Sequence, residues 1–352
     1  MKKVFTLLFL FLSLHGIAQI GGENTFEFIA LPQSGRMTAM GGSYISTIDK
    51  DLSLALQNPA GLTPLVDRMF TAGTIAFYGK TNYGHFAYAK SFPKIATFSA
   101  SVQYMSYGKI KKTDEAGNIG ATVIPTEWCI QIGAGRQISN HYSIGANLKF
   151  MASDLITNQS GGMAVDLAAS YLDTTHKFCA TLLVRNIGVQ FKPYVKGGAR
   201  ESLPFDIQLG ISYKPKFLPF RFSLIAHNLF RWNIRYDDPN NIETSTLFAD
   251  TTQVQKVKKH TFDKIARHFI IGTEVTIAKV LRFNFAFNPM HRGEHAFQNK
   301  KSLAGFSFGL GLHIKQFDFS YGVQVFAKGF TAHHFTLNID FGALMKKKKV
   351  TS

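Results

Sequence analysis

Residues 305–324 read GFSFGLGLHIKQFDFSYGVQ, and large apolar residues occupy every second position on both sides of Lys315 and Gln316. Glycine, serine, histidine, aspartate and glutamine fill the positions between them. Successive side chains of a strand point to opposite faces, so this pattern predicts two strands, each with one apolar face, joined by a tight turn.

The same alternation recurs at 142–150, 163–171, 205–214 and 333–341. A soluble β-sandwich also alternates, but its outward face would carry more charge than the Gly, Ser, Asn and Gln found here. We therefore predict an all-β protein, a transmembrane outer-membrane β-barrel whose apolar faces meet lipid and whose small and polar faces line the lumen.

The composition agrees with a membrane barrel. The chain has 352 residues, of which 45% are hydrophobic and only 17% charged, with 33 Phe and 30 Gly. Intrinsic disorder, collagen and coiled coil are excluded by the apolar mass and by the absence of their repeats. Two cysteines, Cys129 and Cys179, form neither a disulfide framework nor a zinc pattern, and we expect free thiols facing inward.

The first 18 residues have the features of an export signal. Lys2 and Lys3 precede an apolar run from Val4 to Leu14, and small residues follow. We predict a signal peptide at 1–18 that is cleaved between Ala18 and Gln19.

The rest of the chain predicts about fourteen antiparallel strands, an even number that suits barrel closure. Short turns alternate with longer loops, which predicts both termini on the periplasmic side of the outer membrane of a Gram-negative bacterium. The predicted strands lie near 68–79, 82–92, 95–108, 125–137, 141–153, 161–172, 177–190, 203–215, 219–235, 265–278, 280–290, 301–314, 316–326 and 331–342, with longer loops at 109–124, 154–160, 191–202, 236–264 and 291–300.

Residues 19–66 contain too much glycine and proline for barrel strands, yet they carry many large apolar side chains. We predict that this segment plugs the lumen. The barrel then covers 67–345, and a basic tail, including Lys346–Lys349, covers 346–352.

Several stretches carry a family resemblance. IGGENTFEFIALPQSGRMTAMGG (20–42), LALQNPAGL (54–62) and LPFDIQLGISYK (203–214) resemble the PorQ family of outer-membrane proteins in the type IX secretion system, within the wider PorV/PorQ group of FadL-like barrels. The resemblance covers nearly the whole chain after the signal. Its most widely shared element is the plug motif Asn58, Pro59, Ala60 and Gly61.

The resemblance implies a fourteen-stranded barrel with an N-terminal hatch and a non-enzymatic function. The barrel would anchor a large PorZ-like surface protein in the cargo attachment complex, beside PorU-like and PorV-like proteins. It brings no catalytic residue and no cofactor. The alternative function is that of a FadL-like transporter of hydrophobic small molecules, which requires an apolar pocket beside the plug and a lateral opening in the wall.

Basic residues are concentrated in or beside the predicted outer loops. They form either a solvated rim or a contact surface for lipopolysaccharide or an acidic partner, and both interpretations stay open. Nucleic acid is not an expected partner of an exported barrel. The candidate contacts are Lys109, Lys111, Lys112, Lys192, Lys196, Arg200, Lys256, Lys258 and Lys259.

Enzyme chemistry has little support in the sequence. There is no G-x-S-x-G motif, so a surface hydrolase is a weak third alternative. His291 and His295 are four residues apart, a spacing that suits a metal only on a helix, and they fall in a predicted surface loop. We therefore predict no metal site.

Overall fold

The computed structural model describes residues 24–77, 80–113, 117–173, 175, 177–234, 261–295, 303–327 and 330–350. Fourteen of the strands in these ranges form one closed antiparallel barrel, which β1 and β16 complete by pairing with each other. The predicted signal peptide at 1–18 lies outside the described residues. Among the described residues, no helix has the length and apolar character needed to cross a membrane.

The strands are β1 (Met69–Ala76), β2 (Asn82–Phe92), β3 (Ala96–Ser106), β4 (Ile110–Thr113), β5 (Ile119–Val123), β6 (Thr126–Gln137), β7 (Tyr142–Leu155), β8 (Asn158–Asp173), β9 (Phe178–Lys192), β10 (Asp206–Tyr213), β11 (Phe220–Ala226), β12 (Phe269–Ile277), β13 (Leu281–Phe287), β14 (Phe306–Ile314), β15 (Phe317–Ala327) and β16 (Phe330–Asp340). The helices are α1 (Gly35–Ala39), α2 (Leu52–Ala55), α3 (Thr261–Ala266), α4 (Pro289–His295) and α5 (Phe341–Val350), and 3-10 turns span Glu27–Ala30, Pro59–Gly61 and Pro64–Val66.

The two faces of the wall differ as the alternation predicts. In β7, Ile144 and Phe150 are 47% and 39% exposed on the outside, while Asn147 and Lys149 are buried on the inside. A closed antiparallel barrel that is apolar outside and polar inside is the outer-membrane type of membrane protein. The fold class is therefore confirmed, and the β-sandwich alternative is wrong.

The two ends of the barrel differ in their connections. The long connections 107–125, 193–205, 227–268 and 288–305 share one end, which we call the long-loop end. The opposite end, which we call the short-turn end, carries short turns such as 93–95 and 315–316, and there the chain enters β1 and leaves β16. Which end faces the periplasm stays a prediction.

Some element boundaries depart from the predicted ones. The loop predicted at 109–124 contains the separate two-stranded hairpin β4–β5. The loop predicted at 154–160 is a tight turn, because β7 and β8 pair as far as Leu155 and Asn158 and the positive φ of Ile156 reverses the chain. The strand predicted at 203–215 starts only at Asp206, because Pro204 has no amide hydrogen to donate to a ladder.

Residues 24–66 lie inside the barrel, and we call them the plug. Their apolar side chains Phe28, Met37 and Leu52 are at most 2% exposed. Helix α1 lies against β14, β15 and β16 through bonds such as that from the amide of Gly35 to Oγ1 of Thr336, 2.9 Å long. The lumen is therefore occupied over much of its cross-section.

Candidate functional site

The Asn58-Pro59-Ala60-Gly61 motif forms a tight turn in the plug. Oδ1 of Asn58 accepts from the amide of Ala60 at 3.1 Å, and its Nδ2 donates to the carbonyl of Ile45 at 2.9 Å. The asparagine thus fixes both the turn and the preceding plug segment, and the proline takes the first position of the 3-10 turn.

This turn lies directly on the wall. Gly135 of β6 and Gly145 of β7 are paired neighbours, and a Cβ at either position would come within 2.4 Å of the carbonyl oxygen of Pro59. Only a glycine pair lets the plug approach this closely. The motif therefore has a structural role in seating the plug.

A buried ionic cluster joins the plug to the opposite wall. Nε of Arg36 donates to Glu274 of β12 at 2.7 Å, and its other nitrogens reach Asp49 at 2.9 Å and Asp51 at 3.1 Å. Arg221 of β11 adds a bond to Thr47 at 2.7 Å. We call Arg36, Asp49, Asp51, Arg221 and Glu274 the plug lock.

The plug lock stabilises the ionised forms of Arg36 and Asp49. Burial alone would lower the pKa of Arg36, but Asp49 and Glu274 outweigh it and raise that pKa well above the ordinary value. Burial likewise would raise the pKa of Asp49, yet Arg36 and Arg221 lower it below the ordinary value. Both groups are therefore charged at neutral pH, and removal of Arg36 would leave Asp51 buried without its cation.

A cavity of about 510 Å³ lies between the plug and the wall at the long-loop end. This volume falls within the range of small-molecule sites, roughly 300–1,000 Å³. Its apolar lining comes from both the plug and the wall: Ala30, Leu31, Pro32, Leu203, Phe205, Phe230, Ile234, Ile270, Met290 and Phe326.

The charged groups in the cavity lining already have protein partners. Arg185 donates to the carbonyl of Ile29 at 2.8 Å, and Asp206 accepts from the side chain of Gln208 and the amide of Asn228. Glu27 accepts from the side-chain amide of Asn24 at 2.9 Å. The cavity is therefore better suited to an uncharged apolar molecule than to an ion.

The wall beside the cavity is interrupted as a sheet. β9 pairs with β8 as far as Lys192, but β10 supplies partners only for Phe178–Arg185. Beyond Arg185 no residue of β10 pairs with β9, and Nδ2 of Asn186 donates to the carbonyl of Pro204 at 2.7 Å. Phe205 contacts Phe230 with ring centroids 5.1 Å apart. The alternative function required both a pocket beside the plug and an opening in the wall. This section of wall, which we call the β9–β10 seam, is where such an opening would form.

The seam begins at a bulge with its own polar support. Asn186 has a φ of 58°, and the register of β8 with β9 shifts between Val165 and Leu167. Oδ1 of Asp166 accepts from the amide of Asn186 at 2.8 Å, and Lys149 donates to both side chains. Fully bonded buried groups hold β9 in this shape, so the interruption is a built feature.

The predicted basic contacts are distributed around the long-loop end. Lys111 and Lys112 lie on β4, Lys109 precedes it, and Lys192 ends β9. Lys196 and Arg200 lie in the 193–205 connection, and Lys256, Lys258 and Lys259 lie outside the described residues. Lys192 and Lys196 line one polar depression at the rim, and a contact role for them stays a prediction.

The remaining candidates for chemistry are easily placed. Cys129 and Cys179 are buried free thiols on β6 and β9, as predicted. His291 and His295 lie on the short helix α4, so the surface loop predicted there is wrong. The helix starts at Pro289, and Oδ1 of Asn288 caps it by accepting from the amide of Met290. Among the residues described, no three His, Cys, Asp or Glu side chains converge to hold a metal.

Sequence reasoning missed the plug lock and the cavity. The carboxylate partners of Arg36 come from two stretches far apart in the chain, Asp49 and Asp51 in the plug and Glu274 in β12, so no local motif indicates all of them. The only local signal is an arginine flanked by apolar residues in a segment predicted to be buried.

No family model and no curated protein sequence matches the chain. Among solved structures, it is similar to the toluene transporter TodX of Pseudomonas putida (TM-score 0.48, 12% identity, 88% of this chain and 96% of that chain). It is similar to the monoaromatic hydrocarbon channel CymD (0.48, 12%, 88% and 97%) and to a FadL homologue of Pseudomonas aeruginosa (0.47, 9%, 88% and 98%). The chain thus has outer-membrane barrel neighbours of FadL type, and at these identities the likeness says nothing of what it binds.

Proposed function

We propose that this protein is a non-enzymatic outer-membrane barrel that binds an uncharged hydrophobic small molecule in the cavity beside the plug, as a FadL-like transporter would. The observation that carries the proposal is the cavity itself, which joins an apolar lining to a wall segment outside the strand ladder. Apolar burial supplies the affinity, and the already paired polar groups disfavour charged ligands.

The position of the cavity indicates the route by which a ligand would enter it. At the β9–β10 seam the cavity is lined by residues 203–205, which have no ladder pairing with β9 and are tied to it by the side-chain bond from Asn186 to the carbonyl of Pro204. Such a segment moves at lower cost than a paired strand. A hydrophobic molecule partitioned into the membrane would therefore enter laterally, while the plug lock keeps the lumen closed to solutes.

The test fills the cavity without touching the plug lock. Ala30 lines the cavity and is partly exposed, so Ala30→Trp would occupy ligand volume. Ala100→Trp places the same side chain on the lipid-facing wall as the control. We expect saturable binding of radiolabelled naphthalene to fall at least tenfold in Ala30→Trp only. If both variants bound naphthalene as well as wild type does, the cavity would not be the binding site.

The second candidate function is the anchoring of a PorZ-like surface partner in a type IX attachment complex. The specific observation that favours it is the β4–β5 hairpin, a separate sheet at the long-loop end that carries exposed Lys111 and Lys112. Together with the resemblance of 20–42 and 203–214, it suits a docking barrel with PorU-like and PorV-like neighbours.

A pull-down from detergent-solubilised membranes tests the anchoring function. If it holds, a large secreted partner follows the tagged full chain, and shortening 191–202 and 236–264 releases it. Retention of the partner at the surface after both loops are shortened would count against anchoring through these loops. Lipopolysaccharide contact by Lys192 and Lys196 would appear in the same experiment as co-purifying lipid that Lys→Gln variants lose.

A further inference from the structure

A second apolar depression lies on the outside of the barrel, where β3 and β6–β9 approach the short-turn end. It has a volume of about 450 Å³ and is separate from the cavity beside the plug. The base of this depression is formed by the small side chains of Ala134, Ala146 and Ala169. The larger side chains of Ile144, Leu167 and Leu182 border it. We call it the outer groove. Its outward position means that membrane lipid, and not the lumen, has access to it.

One charged residue, Arg136, lines the outer groove. It is the penultimate residue of β6, lies opposite Ile144 of β7, and is exposed on the outward face. No ion pair involves Arg136 within the described part of the chain. A guanidinium without a neutralising partner, at the end of an apolar groove, can donate two parallel hydrogen bonds to an anion. The oxygens of a phosphate group match this geometry.

The surroundings of Arg136 mark the level of a membrane surface. Tyr171 packs on Tyr142 at 5.2 Å between ring centroids and on Phe178 at 6.4 Å, beside the groove. Tyrosine rings collect where the apolar membrane core meets headgroups. The groove therefore runs from headgroup level toward the membrane interior.

The short-turn end as a whole is basic where it would meet headgroups. Exposed lysines occupy five of its turns, often beside an exposed apolar residue such as Phe217, which is 96% exposed. Asp173 is a nearby carboxylate, and it accepts from the amide of Thr175 at 2.8 Å. The lysines are Lys94, Lys177, Lys216, Lys279 and Lys315.

We propose that the outer groove binds one anionic phospholipid of the membrane leaflet that meets the short-turn end. An acyl chain lies on Ala134, Ala146 and Ala169, and the phosphate contacts Arg136, with Lys94 in the neighbouring turn adding attraction. The pairing of an apolar groove with a terminal cation favours an amphipathic anion. A free phosphate would leave the groove empty, and a zwitterionic lipid would bring its own cation beside the phosphate that contacts Arg136. The five exposed lysines of the short turns attract anionic lipid to this end of the barrel, but they do not define a single binding position for it.

The experiment compares two lipids on the purified full chain in detergent by native mass spectrometry. Dioleoyl phosphatidylglycerol is the anionic probe, and dioleoyl phosphatidylcholine is the zwitterionic one. We expect one phosphatidylglycerol to bind about fivefold more tightly than phosphatidylcholine, which is the size of effect one cation has near a membrane surface. Arg136→Gln removes that preference, and Ala146→Phe weakens both lipids by filling the groove.

Two control variants isolate the site. Lys315→Gln removes a cation at the same end on the other side of the barrel, and Ala100→Phe adds a ring to the lipid-facing wall outside the groove. Both should bind as wild type does. Heat-modifiable mobility on gels verifies folding, and Ala169→Leu replaces Ala146→Phe if the latter does not fold. Equal affinity for the two lipids, or an Arg136→Gln effect no larger than that of Lys315→Gln, would overturn the proposal.

Discussion

Glycine residues of the wall decide, at the scale of single residues, how closely the plug approaches it. A Cβ at Gly145 would lie 2.2 Å from the carbonyl oxygen of Pro59, whereas a Cβ at Gly84 meets only a carbonyl oxygen at 3.8 Å. We expect Gly145→Ala to destabilise the barrel by roughly 1–3 kcal/mol through overpacking, and Gly84→Ala by less than about 0.5 kcal/mol. Urea unfolding of both variants in lipid vesicles checks this, and equal midpoints would contradict close seating of the plug.

Arg36 is the residue on which the plug lock depends. Arg36→Met keeps most of the side-chain volume but leaves Asp51 buried without its cation, and it leaves Glu274 with only the 3.4 Å contact to Arg221. We expect a loss of about 3–5 kcal/mol in the same unfolding assay, because a broken buried pair leaves uncompensated charge.

The matched control for Arg36 is Lys50, whose ion pair with Asp340 is half exposed. Lys50→Met should cost less than about 1 kcal/mol, as exposed pairs do. If Arg36→Met and Lys50→Met had the same urea unfolding midpoint, the plug lock would not be what holds the plug in place.

Residue patterns in the sequence predicted the lumen face but not the partners within it. The positions of Asn147, Lys149 and Asp166 on the inner face follow from alternation alone. That Lys149 and Asp166 bond to Asn186 depends on a bulge in β9, and a shift of one register position has no signature in local composition.

The secondary-structure elements fall into two groups. Some have a periodic pattern of apolar residues in the sequence, and the others are determined by turns or by tertiary contacts. All fourteen barrel strands were predictable, because lipid on one side and a polar lumen on the other impose a period of two. The hairpin β4–β5, the early end of β11 at Ala226 and helix α4 were not, since they stand outside that constraint. The β9–β10 seam was missed for the same reason.

The β4–β5 hairpin is an element that the barrel does not need. Its strands pair only with each other, so replacing 109–124 by a short turn removes no ladder bond of the wall. We expect unfolding within about 0.5 kcal/mol of wild type. If the protein anchors a surface partner through this hairpin, capture of that partner falls while the barrel stays folded. A replacement that unfolds the barrel would show that the hairpin is part of its core.

The whole molecule combines a closed wall with an occupied lumen. Because the plug is packed on the wall at the Pro59 turn, at α1 and through the plug lock, the barrel should not behave as an open pore. In planar bilayers we expect wild type to show a far smaller conductance than a general porin and Arg36→Met to show more frequent openings. A large, steady wild-type conductance would contradict the described plug.

The proposed function depends on a hydrophobic molecule occupying the cavity between the plug and the β9–β10 seam. Photoaffinity labelling with a diazirine-bearing aromatic hydrocarbon, followed by peptide mass spectrometry, tests it most directly. We expect saturable labels on 30–32, 203–206 and 227–234, displaced by excess unlabelled naphthalene and lost in Ala30→Trp. Labels spread along the lipid-facing strands, with none on those three segments, would contradict it.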